Sequence, residues 1–247
     1  MITIAIYCHN YQHRLCWMLS SLRQQVAPPA ITVDVASMAD AGEPRTELVV
    51  ALFRAPGVRI RHRIYEDRDA FQFRGNVRTD QLNECDTEWL LFADCDMVYH
   101  PAFFHDLAEV LRYECPGFRG MLTAGRYSQP NTTIGTTADM VALYQYPCVV
   151  PAAWEQVETL EKVQRSNVGA GFFQLINVEN CPHGGYYVQT PRDKAWAQGT
   201  YWKTRSDAAF RRRIGNRRKL PQWFSEHQIH VNHDRDNMHG CHIEAQR

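Results

Sequence analysis

The sequence predicts an α/β protein with a mostly parallel central sheet flanked by helices, on two observations. Over the first 65 residues, short β-branched runs alternate with apolar residues at helical spacing, the rhythm of β-α-β units. Further on, the apolar run Trp89-Leu90-Leu91-Phe92-Ala93 leads directly into Asp94-Cys95-Asp96. In open α/β sheets, ligands bind beyond the carboxyl ends of the strands, which is where this acidic pair falls.

Taken in order, Ile2 to Cys8 is β-branched and bounded by polar residues, a buried strand. Leu15, Met18, Leu19, Leu22 and Val26 recur at helical spacing, giving a helix that stops before Pro28-Pro29. Ile31 to Val35 suits a second strand. A helix follows through Leu48, Val49, Leu52 and Phe53 and ends at Pro56-Gly57. Val58 to Tyr65 alternates apolar and basic residues, as a strand with one wet face does. A polar loop, Glu66 to Gly75, leads into a short helix through Val77 and Leu82. After the Trp89 strand, Pro101 opens a helix with Phe104, Leu107, Val110 and Leu111 on one face. The second half is less regular. Gly117 to Ile134 is turn-rich with short strands, Trp154 to Gln164 reads as an amphipathic helix, and a glycine-punctuated loop, Asn167 to Phe173, leads into a strand through Leu175 and Ile176. No repeat or low-complexity linker divides the chain, so residues 1–247 read as one domain, with a ligand-binding half (1–100) and a second half (101–247).

Composition narrows the function. Hydrophobic residues make up 45% and charged residues 22% of the 247, the profile of a globular protein in water. Basic and acidic side chains balance at 27 each, without the basic excess that phosphate neutralisation demands, so nucleic acid is not the expected partner. The eight cysteines contain no C-x-x-C pair, which argues against a zinc ribbon or dithiol centre. They read as buried thiols of a reducing compartment, with the even count leaving disulfides open. No apolar run approaches the ~18 residues that span a bilayer. The expected location is cytoplasmic, with contact at a membrane surface left open.

Asp-x-Asp occurs three times, at Asp67–Asp69, Asp94–Asp96 and Asp234–Asp236, and about one chance match is expected in such a chain. Only the middle one follows a buried strand. In an extended chain its carboxylates point to one side, roughly 6.6 Å apart along the strand. Like charges at the edge of a core repel unless a proton or cation joins them. A divalent ion relieves this and leaves positions for diphosphate oxygens; turn or helix-capping aspartates are the alternative.

These residues, with Cys8-His9-Asn10-Tyr11 after the first strand and Arg74-Gly75-Asn76-Val77-Arg78, resemble GT-A fold glycosyltransferases of the family 2 type. The resemblance implies a single Rossmann-like GT-A domain that transfers a sugar from a nucleotide-sugar donor, a UDP-sugar first, to a glycan or other hydroxyl acceptor, with inversion. It implies donor contacts from Cys8, His9 and Asn10, from Arg78 in an Ala-Arg-Asn-like loop, from Asp94, and from Gly171 in a Gly-Gly-Phe-like loop. Asp94 and Asp96 would hold Mn²⁺ (or Mg²⁺) with the diphosphate. Ile229-His230-Val231-Asn232-His233 is similar to the late His-containing strand of β-1,4-galactosyltransferases, so His233 becomes a third metal ligand on resemblance alone. Ser206-Asp207-Ala208-Ala209-Phe210-Arg211 is similar to the segment that carries the catalytic base, so Asp207 becomes the base. The sequence departs from the family at Val35-Ala36-Ser37, where a base-reading Asp is usual, at Thr79 in place of Asn, and around Asp207, which has lost its acidic neighbours.

Each role has an ordinary counterpart. Asp207 also suits the N-cap of a helix from Ala208, Arg78 a surface position, and any one late histidine a solvated tail. The run Arg211-Arg212-Arg213 and Arg217-Arg218-Lys219 suits a solvated helix face or a grip on an anionic acceptor or lipid head groups. Two other functions stay open: a nucleotidyltransferase, which would normally carry a Gly-rich basic loop after the first strand, and an inactive sugar-nucleotide or metal-binding module.

Overall fold

The computed structural model describes residues 1–9, 12–39, 44–54, 58–72, 74–114, 121–124, 130–132, 154–155, 162–164, 173–181, 210, 222–223 and 228–231. The first half alternates as the sequence predicts: β1 (Ile2–Tyr7), α1 (Gln12–Arg23), β2 (Ile31–Met38), α2 (Pro44–Phe53) and β3 (Arg59–Tyr65). Then come α3 (Arg68–Gln72), α4 (Arg74–Asn83), β4 (Trp89–Asp94), β5 (Met97–Tyr99) and α5 (Phe103–Glu109), which runs on into a π-turn over Val110–Glu114. The later strands are β6 (Met121–Ala124), β7 (Pro130–Thr132), β8 (Lys162–Gln164), β9 (Phe173–Asn177), β10 (Gln222–Trp223) and β11 (Gln228–Val231).

Seven strands form one sheet in the order β10-β6-β9-β4-β1-β2-β3. β1, β2, β3 and β4 are parallel, and β9 lies antiparallel between β4 and β6. A second sheet has the order β5-β11-β7-β8. The chain therefore builds outward from β1 to β3 and then crosses back to start again at β4, on the other side of β1. That reversal opens a crevice beyond the ends of β1 and β4.

Alternation along the strands explains how both faces are covered. Ile4, Ile6, Val33, Val35, Leu91 and Ala93 pack with Leu15, Met18 and Leu19 of α1 and Val49, Val50 and Phe53 of α2. On the opposite face, Ala5, Leu90 and Phe92 meet Leu82 of α4, while Ala36 and Met38 meet Val77 and Phe71. Burial on both sides is why β1 and β4 read as near-continuous apolar runs. Truncating a side chain such as Leu91, which is fully buried, would cost about 2–5 kcal/mol.

Several expectations shift. The stretch expected to be a polar loop, Glu66 to Gly75, contains α3, whose Phe71 is fully buried. A single apolar anchor in a polar stretch leaves no periodicity to read. Val26 lies beyond the end of α1 and is exposed, and Leu48 and Leu52 face outward. The buried stripe of α2 is Thr46, Val49, Val50 and Phe53, an i, i+3, i+4, i+7 pattern. The helix expected from Trp154 to Gln164 does not extend that far, because Lys162–Gln164 is β8 and pairs with β7. Sheet pairing with a distant strand has overridden a helical pattern there.

Candidate active site

The acidic pair sits where the strand order reverses. Tyr7 of β1 lies beside Asp94 of β4 in the parallel register, and the next residue on each strand is a cysteine. Cys8 and Cys95 are fully or almost fully buried and their side chains hydrogen-bond each other. That contact, together with burial, pushes the Cys95 thiol well above its ordinary pKa. Cys8 also ties β1 to β2, its N–H donating to the Ala36 carbonyl at 2.9 Å. With its thiol buried and its N–H committed to Ala36, Cys8 has its backbone carbonyl left to offer a ligand.

Asp94 closes β4, and Cys95–Asp96 form a turn before β5. The chain is not extended through the motif, and the two carboxylates each meet a different arginine. Asp94, whose side chain is 34% exposed, stands 3.6 Å from a terminal nitrogen of Arg78, whose side chain is 2% exposed. Arg78 lies on α4, and its guanidinium also covers the Phe92 ring at 5.4 Å. Asp96 turns instead toward α1, where Arg14 stands 3.8 Å away; both side chains are under a tenth exposed. Arginines from opposite faces of the sheet thus flank the pair, and the repulsion expected from sequence is met by protein charge as well as by any cation.

The remaining expected residues divide. Arg78 is buried rather than on the surface, and it belongs to a helix, not a loop. His9 is buried and meets Phe71 edge-on, with ring centroids 5.6 Å apart. Phe71 in turn stacks on Tyr7 at 4.4 Å, and Arg74 covers the other ring at 5.0 Å from the Tyr7 centroid. Asn10, Gly171, Asp207 and His233 lie outside the described residues, as do the basic run at 211–213 and 217–219 and both aspartates of the late Asp-x-Asp, Asp234 and Asp236. His230 lies on β11, which pairs with β5 immediately after the acidic turn.

Sequence reasoning missed Arg14, Tyr7 and Phe71. The signal for Arg14 was available: it precedes Met18 and Leu22 at i+4 and i+8, on the stripe expected to be buried. It also places a positive charge in the first turn of a helix, against the dipole. Tyr99 is a further neighbour. Its hydroxyl is buried without a hydrogen-bond partner among the described residues. Burial first, then the negative charges of Asp94 and Asp96, drive its pKa far up.

A hard divalent cation takes oxygen ligands, and two carboxylates with a buried phenol oxygen in their field suit one. Among the described residues no group of three or more His, Cys, Asp and Glu side chains converges on a metal position. Asp94 and Asp96 are the acidic side chains described at the strand-order reversal. Among the described residues, too, no helix is long and apolar enough to cross a membrane.

The architecture, a mixed α/β fold with a mostly parallel central sheet, matches the GT-A fold. No family model matches the chain, and no curated protein matches it. Solved structures do. A mannosyltransferase from Pyrobaculum calidifontis, determined with GDP-mannose and Mn²⁺, is 12% identical over 95% of this chain and 57% of its own, with a TM-score of 0.56. An active-site mutant of the enzyme LgtC is 12% identical over 94% and 88% of the two chains, at 0.49. TarS of S. aureus, residues 1–349 with UDP-GlcNAc, is 19% identical over 53% and 35%, at 0.44. At 12% identity the likeness to the mannosyltransferase is one of fold alone. This chain spans between 22% and 36% of the TarS structures and 57% of the mannosyltransferase.

Proposed function

We propose that the protein is a metal-dependent glycosyltransferase that moves a sugar from a nucleotide-sugar to an acceptor hydroxyl. The observation that carries this reading is the position of Asp94 and Asp96 at the strand-order reversal, with buried Arg78 beside them. The mannosyltransferase of the same fold, solved with GDP-mannose and Mn²⁺, supports a nucleotide-sugar donor and a divalent metal, with UDP the first base to test.

Transfer breaks the bond between the anomeric carbon and the diphosphate through an oxocarbenium-like transition state. A bound Mn²⁺ or Mg²⁺ would supply charge stabilisation for the leaving diphosphate, held by Asp94, Asp96 and, by resemblance, His233. Arg78 adds a positive charge from a site where water is scarce and electrostatic attraction is correspondingly strong. His9, fixed against Phe71, and the backbone of Cys8 contact the donor, joined by Asn10 and Gly171 on the resemblance. Asp207 takes the proton of the acceptor hydroxyl, a role worth about 10²–10⁴-fold when the base is aimed, and attack opposite the leaving group inverts the anomeric centre. Residues 1–100 bind the donor and 101–247 the acceptor. The setting is the cytoplasm, with the basic run at 211–219 reaching an anionic acceptor or membrane surface.

The test is a panel of nucleotide-sugars with and without Mn²⁺ or Mg²⁺, read as nucleoside diphosphate release. Metal-dependent release that Asp96→Asn abolishes, in a variant that keeps its circular dichroism spectrum, is the expected result. Pyrophosphate release would identify a nucleotidyltransferase instead. A thermal shift without turnover would leave only a binding module.

A further inference from the structure

We propose that Tyr99 of β5 and Gln228 of β11 form a buried water site behind the acidic turn, and that the bound water ties the strand leaving that turn to the late strand. The site stands apart from the reaction proposed above; only its effect on turnover rests on that reading.

Register brings the two residues together. In the antiparallel pairing of β5 with β11, Tyr99 lies opposite Gln228, Val98 opposite Ile229 and Met97 opposite His230. Residues directly opposite in such a ladder project from the same face, with Cβ atoms about 4.5–5.5 Å apart. Both side chains are fully buried, at 0% exposure. Among the described residues, however, the Tyr99 hydroxyl and both Oε1 and Nε2 of Gln228 have no hydrogen-bond partner. The two side chains therefore do not bond each other. Three orphaned polar atoms on one cross-strand pair are costly, because each gives up the hydrogen bonds it made to water in the unfolded chain.

The neighbours hold the hydroxyl in place and select the ligand. The Tyr99 ring is wedged against Phe103 and Phe104, with centroids 4.7 and 5.1 Å away, so it is not free to swing toward solvent. Burial and the charges of Asp94 and Asp96 push its pKa far up, so the phenol stays neutral and can both donate and accept. Full burial of both residues admits only a small guest. The negative field of the aspartates repels an anion, and between these two side chains the Gln228 amide hydrogens oppose a cation. Water offers two donors and two acceptors, and a buried water typically makes about three hydrogen bonds to otherwise unsatisfied groups. The hydroxyl, the amide oxygen and the amide nitrogen supply them.

Position gives the site its consequence. β5 begins at the residue after Asp96 and holds only three residues, so a tie at Tyr99 fixes the far end of the segment into which the turn leads. Tyr99 and Gln228 act through that segment as positioning residues.

The experiment begins with crystals of the full wild-type chain, in which a water should lie about 2.7–3.2 Å from the Tyr99 hydroxyl and from a Gln228 amide atom. A direct Tyr99–Gln228 hydrogen bond, or an ion at that position, overturns the proposal. Water ¹⁷O relaxation dispersion then compares long-lived internal waters in wild type and in Tyr99→Phe/Gln228→Met. The double variant should hold fewer; an equal count overturns the site. Urea unfolding of both single variants and the double completes the cycle. Each single substitution should lower the midpoint, since it leaves the other side chain and the water short of partners. The double variant should unfold at a midpoint no lower than either single, whereas losses that simply add would show that the two residues share no ligand. Positioning is read separately. The Mn²⁺ concentration for half-maximal nucleoside diphosphate release should rise on the order of ten-fold in both singles, the low end for removing an outer partner of a metal ligand. It should stay raised in the double variant although stability has recovered. A metal requirement that recovers together with stability overturns the positioning role. If the water and the cycle are found while wild type turns over no nucleotide-sugar, the water site stands and the proposed function falls.

Discussion

Two sets of arginine–aspartate pairs, one at the sheet's outer edge and one at the strand-order reversal, are built differently. At the outer edge, Arg63 of β3 grips Asp34 of β2 with both prongs, its Nε 2.7 and 2.9 Å from the two carboxylate oxygens and a terminal nitrogen at 2.6 Å. The same guanidinium reaches Glu84 at 2.6 Å, and these bonds hold its own pKa above the usual arginine value. At the strand-order reversal, Arg78–Asp94 and Arg14–Asp96 stand 3.6 and 3.8 Å apart. The closed fork joins adjacent strands and has nothing to gain by opening. The spaced pairs lie at the strand-order reversal, beside the proposed donor site. Geometry, not the mere presence of opposite charges, separates a closed fork from a spaced pair.

The sharpest way to break this comparison is to neutralise one aspartate of each kind. Asp94→Asn should lower metal-dependent turnover by at least 10²-fold, the scale of a lost electrostatic stabiliser. Because Arg78 beside it is buried, Asp94→Asn should also cost some stability, but less than Asp34→Asn, since this pair stands 3.6 Å apart and a third of the Asp94 side chain is in water. Asp34→Asn should act on stability alone. Asp34 is 1% exposed, and removing its charge leaves Arg63 partly uncompensated in a buried place. With Glu84 still available, about 3 kcal/mol is expected, the lower end for a broken buried pair, seen as a lower urea midpoint at unchanged slope. Turnover per folded molecule should hold. If Asp34→Asn proved the milder variant in urea, distance would be a poor guide to which pairs bear structure.

A smaller effect is expected farther out. Asp86 accepts from Arg61 and stands 3.6 Å from Arg59, with half its side chain exposed. Asp86→Asn should cost roughly 0.2–1 kcal/mol at low salt and nearly nothing in 1 M NaCl, where the screening length falls to about 3 Å. A loss that survives high salt would mean this surface pair acts like the buried fork.

Much of the first half was legible because the physics is local. Burial on both faces makes β1 and β4 apolar throughout, and the acidic motif stands out against that background. Proline and glycine punctuation set the ends of α1 and α2 within a few residues. What escaped notice is non-local. Arg14 and Phe71 matter through partners far along the chain, Asp96 and Tyr7, which spacing within one helix does not name. The direction of Asp96 was misjudged for a related reason. Two residues apart in a strand face the same way, but the turn at Cys95–Asp96 breaks the alternation and sends the second carboxylate to the other helix layer. The Trp154–Gln164 expectation failed likewise, since β8 exists by pairing with β7 and not by its own propensity.

The last contrast concerns a neutral pair between the same two strands as the edge fork. Ser37 and His62 lie within hydrogen-bond distance, the serine Oγ 2.7 Å from His62 Nε2. Burial, opposed in part by Glu47, holds the imidazole pKa below its ordinary 6.5. The unfolded chain then binds more protons than the folded one between the two values, so stability rises with pH across that window. The contribution is complete above about 6.5 and is lost as pH falls through the lowered folded value. Carboxylates titrate below this range and affect any variant alike. Comparing melting temperatures of wild type and His62→Gln at pH 7 and pH 5 isolates the term, because glutamine can keep the bond to Ser37 without acquiring charge. Wild type should lose about 2 °C more than the variant on acidification. Parallel losses would mean that protonated His62 is accommodated, and that charge at this edge is tolerated wherever Glu47 can reach it.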